Sequence, residues 1–507
     1  MTTGAAATSA ARGSAGQGAT TERYRPSNPL VAVVLMLVLC SVVYLEVSPQ
    51  SLRTLLLYGC LLLGTIAFYG MCAEAPRSWL IATAFTLTVL VPNNFYNAEL
   101  GASAGNTIQL ISPALLLFVA CFMRQNDRGG PAPRALIEKM PGYSCFALYT
   151  GYAAATIVAS DSVPRSLVWL FAFAILVLMP MVSRLNWDPR PIILRTWLVL
   201  GTLTSFYALI ERLLGRNVLF STIYSAAADP AGTAVQHWSD YRAQASFGHP
   251  IYAGMFFAAT AVLAYLSFFE SNRDRRFLIL GLLSSAALIC TGTRGAIIGL
   301  VAGVAIGLLP KLKRQSGTRI ALSLLGLVGT FIAVVSTGGG EKIWQGVTGR
   351  FTSQEAAVSA GGRQSVIDLS LKIAEEHSWM GAGVGTSRSV FRHAGSTIPV
   401  ESGPLQVLVS EGIPGLLLMT LGLLTVGYAL WRSGHGIELG LLVTSVICLS
   451  GFNGFEDVPT TMTWLGLALL AARSAASGGG GLTPRSTPAS PTDVAAQAMK
   501  VVGAHGH

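Results

Sequence analysis

The feature that most narrows what this chain can fold into is a series of long apolar runs. One begins at residue 31, VAVVLMLVLCSVVYL, and others follow at short intervals through most of the sequence. Runs of about 18 to 22 residues are long enough to cross a bilayer as helices. They are continuous rather than alternating, which excludes a barrel of transmembrane strands. Charged residues make up only 11% of the chain, against roughly 25% in a soluble domain. With hydrophobic residues at 52% and a mean hydropathy of +0.56, the fold class is all-α and polytopic, an integral membrane protein of about 12 to 14 spans.

Candidate spans begin near residues 30, 52, 79, 107, 143, 166, 191, 250, 277, 295, 320, 413, 436 and 457. Those near 79 and 143 are the shortest or most polar. Residues 1–28 and 474–507, rich in small and polar residues, read as disordered tails on either side of a membrane domain at 29–473. If the N-terminus is cytoplasmic, 22 of the 34 Lys and Arg residues face inward, and both termini lie inside. The net charge of +10 then reflects scattered topology determinants rather than a nucleic-acid surface. The seven cysteines show neither disulfide nor zinc spacing.

Two outer loops are long, at about 214–249 and 338–403. The second contains GGRQSVIDLSLKIAEEH, in which Val366, Leu369 and Ile373 recur at helical spacing. This predicts an amphipathic helix on the outer membrane surface. The unusual polar residues gather on this side: Arg242, His249, Arg294, Arg350, Arg363, Glu401, Glu456 and Asp457. Arg363 follows two glycines at the expected helix start, where a cation opposes the helix dipole and an anion reconciles the two. The plainer role is a surface arginine paired with Asp368 or Glu401. Arg294 sits in a tight outer turn, where the charge rule disfavours it unless it snorkels to headgroups or binds an anion. His249, ahead of Pro250, suits a polar cap better than a base. GAGVG at 381–385 lacks the strand-to-helix context of a nucleotide site and reads as a flexible turn.

The stretch STIPVESGPLQVLVSEGIPGLLLMTLGLL places Glu401 and Glu411 at the approach to a long apolar run. Pro404 suits a first helical position, and Gly412 with Pro414 predicts a break that leaves 404–411 as a half-helix. Glu401 at its outer end either complements the helix dipole or accepts a proton from a hydroxyl as a general base.

These residues resemble the O-antigen ligase and polymerase superfamily of bacterial membrane glycosyltransferases. Glu401-Ser402, nine residues, Gly412, two residues and Gly415 reproduce the spacing of a family signature that has His at the first position. TGTRGA, the Gly-Arg helix with its following Gly-x-Gly-x-Gly turn, and FGHPIYAG resemble three further family segments in the same order. The likeness spans residues 240–470. It implies a GT-C-like fold in the bacterial cytoplasmic membrane, a saccharide donor on a polyprenyl pyrophosphate, a glycan acceptor, and no metal or other cofactor. It further implies Arg294 and Arg363, with Arg242 and Arg350, on the pyrophosphate and Glu401 as the base, supported by His249, Ser402, Gly412 and Gly415. Rival readings are a lipid-linked oligosaccharide flippase and a non-catalytic glycan-assembly protein. Neither polymerase nor ligase is selected.

Overall fold

The computed structural model describes residues 77–91, 142–178, 188–222, 241–271, 274–312, 354–396, 400–452, 454–456 and 459–476. Among these residues every regular element is helical. In chain order they are α1 (Arg77–Leu90), α2 (Tyr143–Thr156), α3 (Val163–Phe173, continued by a π turn, Ala174–Leu178) and α4 (Arg190–Leu214). There follow α5 (Val218–Thr222), α6 (Pro250–Glu270), α7 (Arg275–Thr291), α8 (Arg294–Leu312), α9 (Gln354–Glu376) and α10 (Ser387–His393). The last are α11 (Gly403–Ser433), α12 (Gly436–Ser450) and α13 (Pro459–Ala476). The helices expected near 79, 143, 166, 191, 250, 277, 295, 413, 436 and 457 are therefore present. Those expected near 30, 52, 107 and 320, the tail at 1–28, residues 477–507, Arg350 and Asp457 lie outside the described residues, while α13 continues helically through 474–476, the first residues of the expected C-terminal tail.

Three helices, α4, α6 and α11, are long and apolar enough to cross a membrane by length and composition. α6 is buried along nearly its whole length and forms the centre of the bundle. Aromatic rings gather round it: Trp197 of α4 stacks on Phe256 at 6.0 Å, and Trp464 of α13 meets the same ring at 5.3 Å. Such pairs contribute about 0.5–1.5 kcal/mol each beyond their buried area.

Among the described residues, the most extensive helix–helix contact is antiparallel, between α8 and α12. Gly299, Gly303 and Gly307 recur every fourth residue, facing Cys448, Thr444 with Gly440, and Gly436 respectively. Thr444 Oγ1 donates across the seam to the Gly299 carbonyl at 3.1 Å. Small residues at this spacing let two backbones touch, the usual way apolar helices associate where no water drives them together.

These contacts also sort the helix ends. Arg190 of α4 pairs with buried Glu438 of α12 at one end of the bundle, where α6 and α8 finish. Segment 241–250, the α7–α8 turn and the start of α11 lie at the other, called here the Arg294 end.

The long loop differs from expectation in two respects. Its helix begins at Gln354 rather than at Gly361, because the preceding QEAAVSA is rich in helix-favouring Gln, Glu and Ala. Gly361 and Gly362 are carried inside the helix with open space beside them. Its apolar stripe does not lie on a membrane surface. Val366 and Ile373 join Ala382, Val390, Phe391, Val400 and Val409 in a small second core against α10 and α11.

Candidate functional site

At the Arg294 end the chain from 241 to 250 crosses the bundle without regular structure, and a single side chain organises it. Glu211, buried on α4, accepts from the Tyr241 hydroxyl at 2.7 Å, the backbone N–H of Gln244 at 3.0 Å and of Ala245 at 2.7 Å, and Asn217 Nδ2 at 3.2 Å. A buried carboxyl group needs such donors to offset the loss of water. Asn217 also donates to the Ala245 carbonyl at 2.7 Å, and Arg212 to the Tyr241 carbonyl. Ala245 is held at φ 47°, a left-handed conformation that L-residues adopt only under tertiary constraint. Burial first, then the facing Glu211 carboxyl, raises the Tyr241 phenol above its ordinary pKa.

This bracing sets the side chains on either side. Arg242, half-buried, donates from Nε to the Thr291 carbonyl at 2.8 Å. Ala243 N–H donates to the Cys290 carbonyl at 3.0 Å. Phe247 is driven into the core against Phe256 and Trp464. His249 becomes the N-cap of α6, its Nδ1 accepting from Ile251 N–H at 3.2 Å, which leaves the proton of a neutral ring on Nε2. Burial and then the nearby Arg242 guanidinium lower its pKa to about 4. The α7–α8 turn closes the cluster: Thr293 Oγ1 donates to the Pro250 carbonyl at 3.1 Å, and half-buried Arg294 is the first residue of α8. Arg242, His249 and Arg294 are thus brought to the same end of the bundle.

A second assembly forms where α11 breaks. Gly412, at φ 68° and ψ −167°, interrupts the helix and strips several backbone groups of their partners. The chain from 379 to 383 supplies them: Trp379 C=O accepts from Ile413 N–H at 2.9 Å, while Ala382 and Gly383 N–H donate to the Val409 and Ser410 carbonyls, each at 2.9 Å. GAGVG is therefore a buried, closely packed turn rather than a loose one. Its glycines sit at φ 95°, 114° and 72° for residues 381, 383 and 385. A Cβ at Gly381 would fall 2.4 Å from the Ser410 carbonyl oxygen. Gly415 is needed just as directly, since a Cβ there would lie 2.3 Å from that of Glu411.

Glu456 also differs from its expected surface position. It is buried and accepts from the hydroxyls of Ser387 and Ser410 and from Ser387 N–H, tying α10, α11 and the approach to α13 together. Glu411, also buried, has neither carboxyl oxygen hydrogen-bonded among the described residues.

Residues 279–420 match the family model described as O-Antigen ligase. This segment is similar to an O-antigen ligase domain. No curated protein matches the chain. That likeness and the three apolar helices agree with an integral membrane protein of glycan assembly.

The matched segment contains Arg294, Arg350, Arg363, Glu401, Ser402, Gly412 and Gly415, while Arg242 and His249 lie upstream of it. Glu401 is exposed at the Arg294 end, followed by Ser402 as the N-cap residue of α11 and Pro404 in its first turn. Arg363 is exposed well inside α9, so the helix-start argument for an anion there does not hold. Glu401 and Arg363 ride on the α9–α11 assembly, whereas Arg242 and His249 lie on the 241–250 segment and Arg294 opens α8. The sequence reading assigned no role to Glu211, Gln244, Ser387, Ser410 or Glu411. The available signal was charge in apolar context, since Glu211 and Glu411 both sit in runs with few other charges.

Proposed function

We propose that the chain is a membrane glycosyltransferase, a polysaccharide polymerase or ligase. It transfers a saccharide from a polyprenyl-pyrophosphate carrier to a glycan hydroxyl at the outer face of the cytoplasmic membrane. The observation that carries this reading is the clustering of Arg242 and Arg294 round the Thr291–Thr293 turn of the segment similar to an O-antigen ligase domain, at the end of the bundle where Glu401 emerges. The acceptor hydroxyl attacks the anomeric carbon and passes its proton to Glu401. The bond from that carbon to the pyrophosphate oxygen breaks, and the configuration inverts. The departing polyprenyl pyrophosphate leaves its charge among the arginines, with Arg350 and Arg363 contributing from the long loop. Oriented cations in a site partly shielded from water are an effective way to stabilise such a leaving group. His249, neutral near pH 7, shapes the cluster as a cap and adds no charge. The buried carboxyl groups Glu211 and Glu438 lie near helix ends rather than at mid-helix, which argues against a transporter.

The test is glycan transfer by the purified full chain in detergent, supplied with extracted lipid-linked oligosaccharide. Wild type transfers glycan; Arg294→Ala and Glu401→Gln lose activity by about 100-fold or more while remaining folded. Full activity in Glu401→Gln removes that residue as the base. No transfer by wild type, with lipid-linked sugar crossing a reconstituted bilayer, gives the case to a flippase.

A further inference from the structure

Arg242 and His249 lie on a segment with no helix or strand of its own, yet an anion site needs them held to within a fraction of an ångström. From the four donors converging on its buried carboxyl group, we infer that Glu211 is the positioning residue of the pyrophosphate site, setting Arg242 through the backbone of residues 241–245. The inference rests on the proposed function and names a residue upstream of the matched domain.

The geometry leaves little freedom. One carboxyl oxygen of Glu211 takes the Tyr241 hydroxyl, the Gln244 N–H and Asn217, while the other takes the Ala245 N–H. Arg242 is thus bracketed by a side-chain tether on the residue before it and two backbone tethers within three residues after it. The tethers hold Ala245 at φ 47°, which the free chain would leave. Arg242 in turn reaches the Thr291 carbonyl, within three residues of Arg294. Glu211 touches neither arginine in this set of bonds and acts on the site through the segment. The α4 helix that carries it is anchored separately, by Trp197 against Phe256 and by Arg190 against Glu438. Loss of the carboxylate therefore loosens the segment before it loosens the bundle.

Glu211→Gln is nearly isosteric and replaces one acceptor oxygen by a donor, so it conflicts with at least one of the four donors. The purified full chain is titrated with geranylgeranyl diphosphate, a simple isoprenoid diphosphate, and its amide hydrogen exchange is followed at 241–250. Wild type binds the probe, and Arg242→Ala weakens binding. Glu211→Gln weakens it about tenfold, with faster exchange at Gln244 and Ala245 and unchanged exchange in α6 and α8. In the transfer assay Glu211→Gln raises the donor KM about tenfold and leaves kcat within about threefold. A merely structural role would reduce the active fraction at unchanged KM. Binding and KM at wild-type values in folded Glu211→Gln overturn the inference and leave the proposed function intact. Wild-type binding by Arg242→Ala shows the anion-site reading itself to be wrong, and the inference falls with it. Should Glu211→Gln not fold, Tyr241→Phe removes one tether only. A threefold weakening there supports the inference, and none overturns it.

Discussion

Arg242 Nε donates to the carbonyl oxygen of Thr291 across 2.8 Å, and Thr291 is the last residue of α7. The guanidinium thus caps a helix C-terminus, where exposed carbonyls and the helix dipole favour a cation. The cap fixes this arginine beside the turn that carries Arg294, so the bond has a structural and a functional aspect that substitution separates.

Arg242→Lys keeps the charge and loses the fork that serves cap and ligand together. The donor KM is expected to rise at least about tenfold, with the fold weakened by no more than about 1 kcal/mol. Steady-state transfer kinetics beside thermal unfolding in the same detergent give both numbers. An unchanged KM would remove Arg242 from the donor site.

Gly303→Ala tests the seam between α8 and α12. The new Cβ would stand 2.0 Å from Thr444 Oγ1 and 2.9 Å from the Gly440 carbonyl oxygen. The threonine side chain can turn away; the backbone carbonyl has no such freedom. A loss of about 1–3 kcal/mol is expected. Gly427→Ala, whose nearest neighbours are leucine methyls at 3.9 Å, is expected to be neutral or slightly stabilising. Thermal unfolding of the two variants side by side decides whether close approach, rather than loss of glycine as such, is responsible.

His249 makes stability depend on pH in a defined window. Its folded pKa, about 4, lies below the ordinary 6.5. Between these values the unfolded chain binds the extra proton, so stability rises with pH across the window and is lost as pH falls from 6.5 towards 4. The ceiling on this loss is on the order of 3 kcal/mol. His249→Asn preserves an N-cap acceptor and does not titrate. Its unfolding midpoint should fall less than that of wild type between pH 6.5 and pH 4. Parallel pH profiles would show that other groups dominate.

The fate of the GAGVG stretch shows where sequence reasoning stopped. Gly412 and Pro414 announced a helix break, and the break is present. The sequence also showed a glycine cluster some thirty residues earlier. It did not show that the cluster supplies the hydrogen-bonding groups missing at the break, because that pairing is made by backbone atoms, which are alike in every residue. The helix-start argument for Arg363 failed for a local reason instead. Two glycines suggested a helix start, but a preceding run with five helix-favouring residues, Gln354, Glu355, Ala356, Ala357 and Ala360, carried the helix through.

Among the described residues, the apolar helices and their order were legible in the sequence alone. Apolar length is a one-dimensional property, and a chain that crosses a bilayer repeatedly has little choice of alternation. Which buried acids hold the site together was decided only by tertiary structure. Glu211 and Glu456 each bind partners from separate parts of the chain, Glu211 at residues 241–245 and Glu456 at Ser387 and Ser410. A carboxyl group in an apolar run signals that donors must exist, since burial without them is costly. It does not say where in the chain those donors lie.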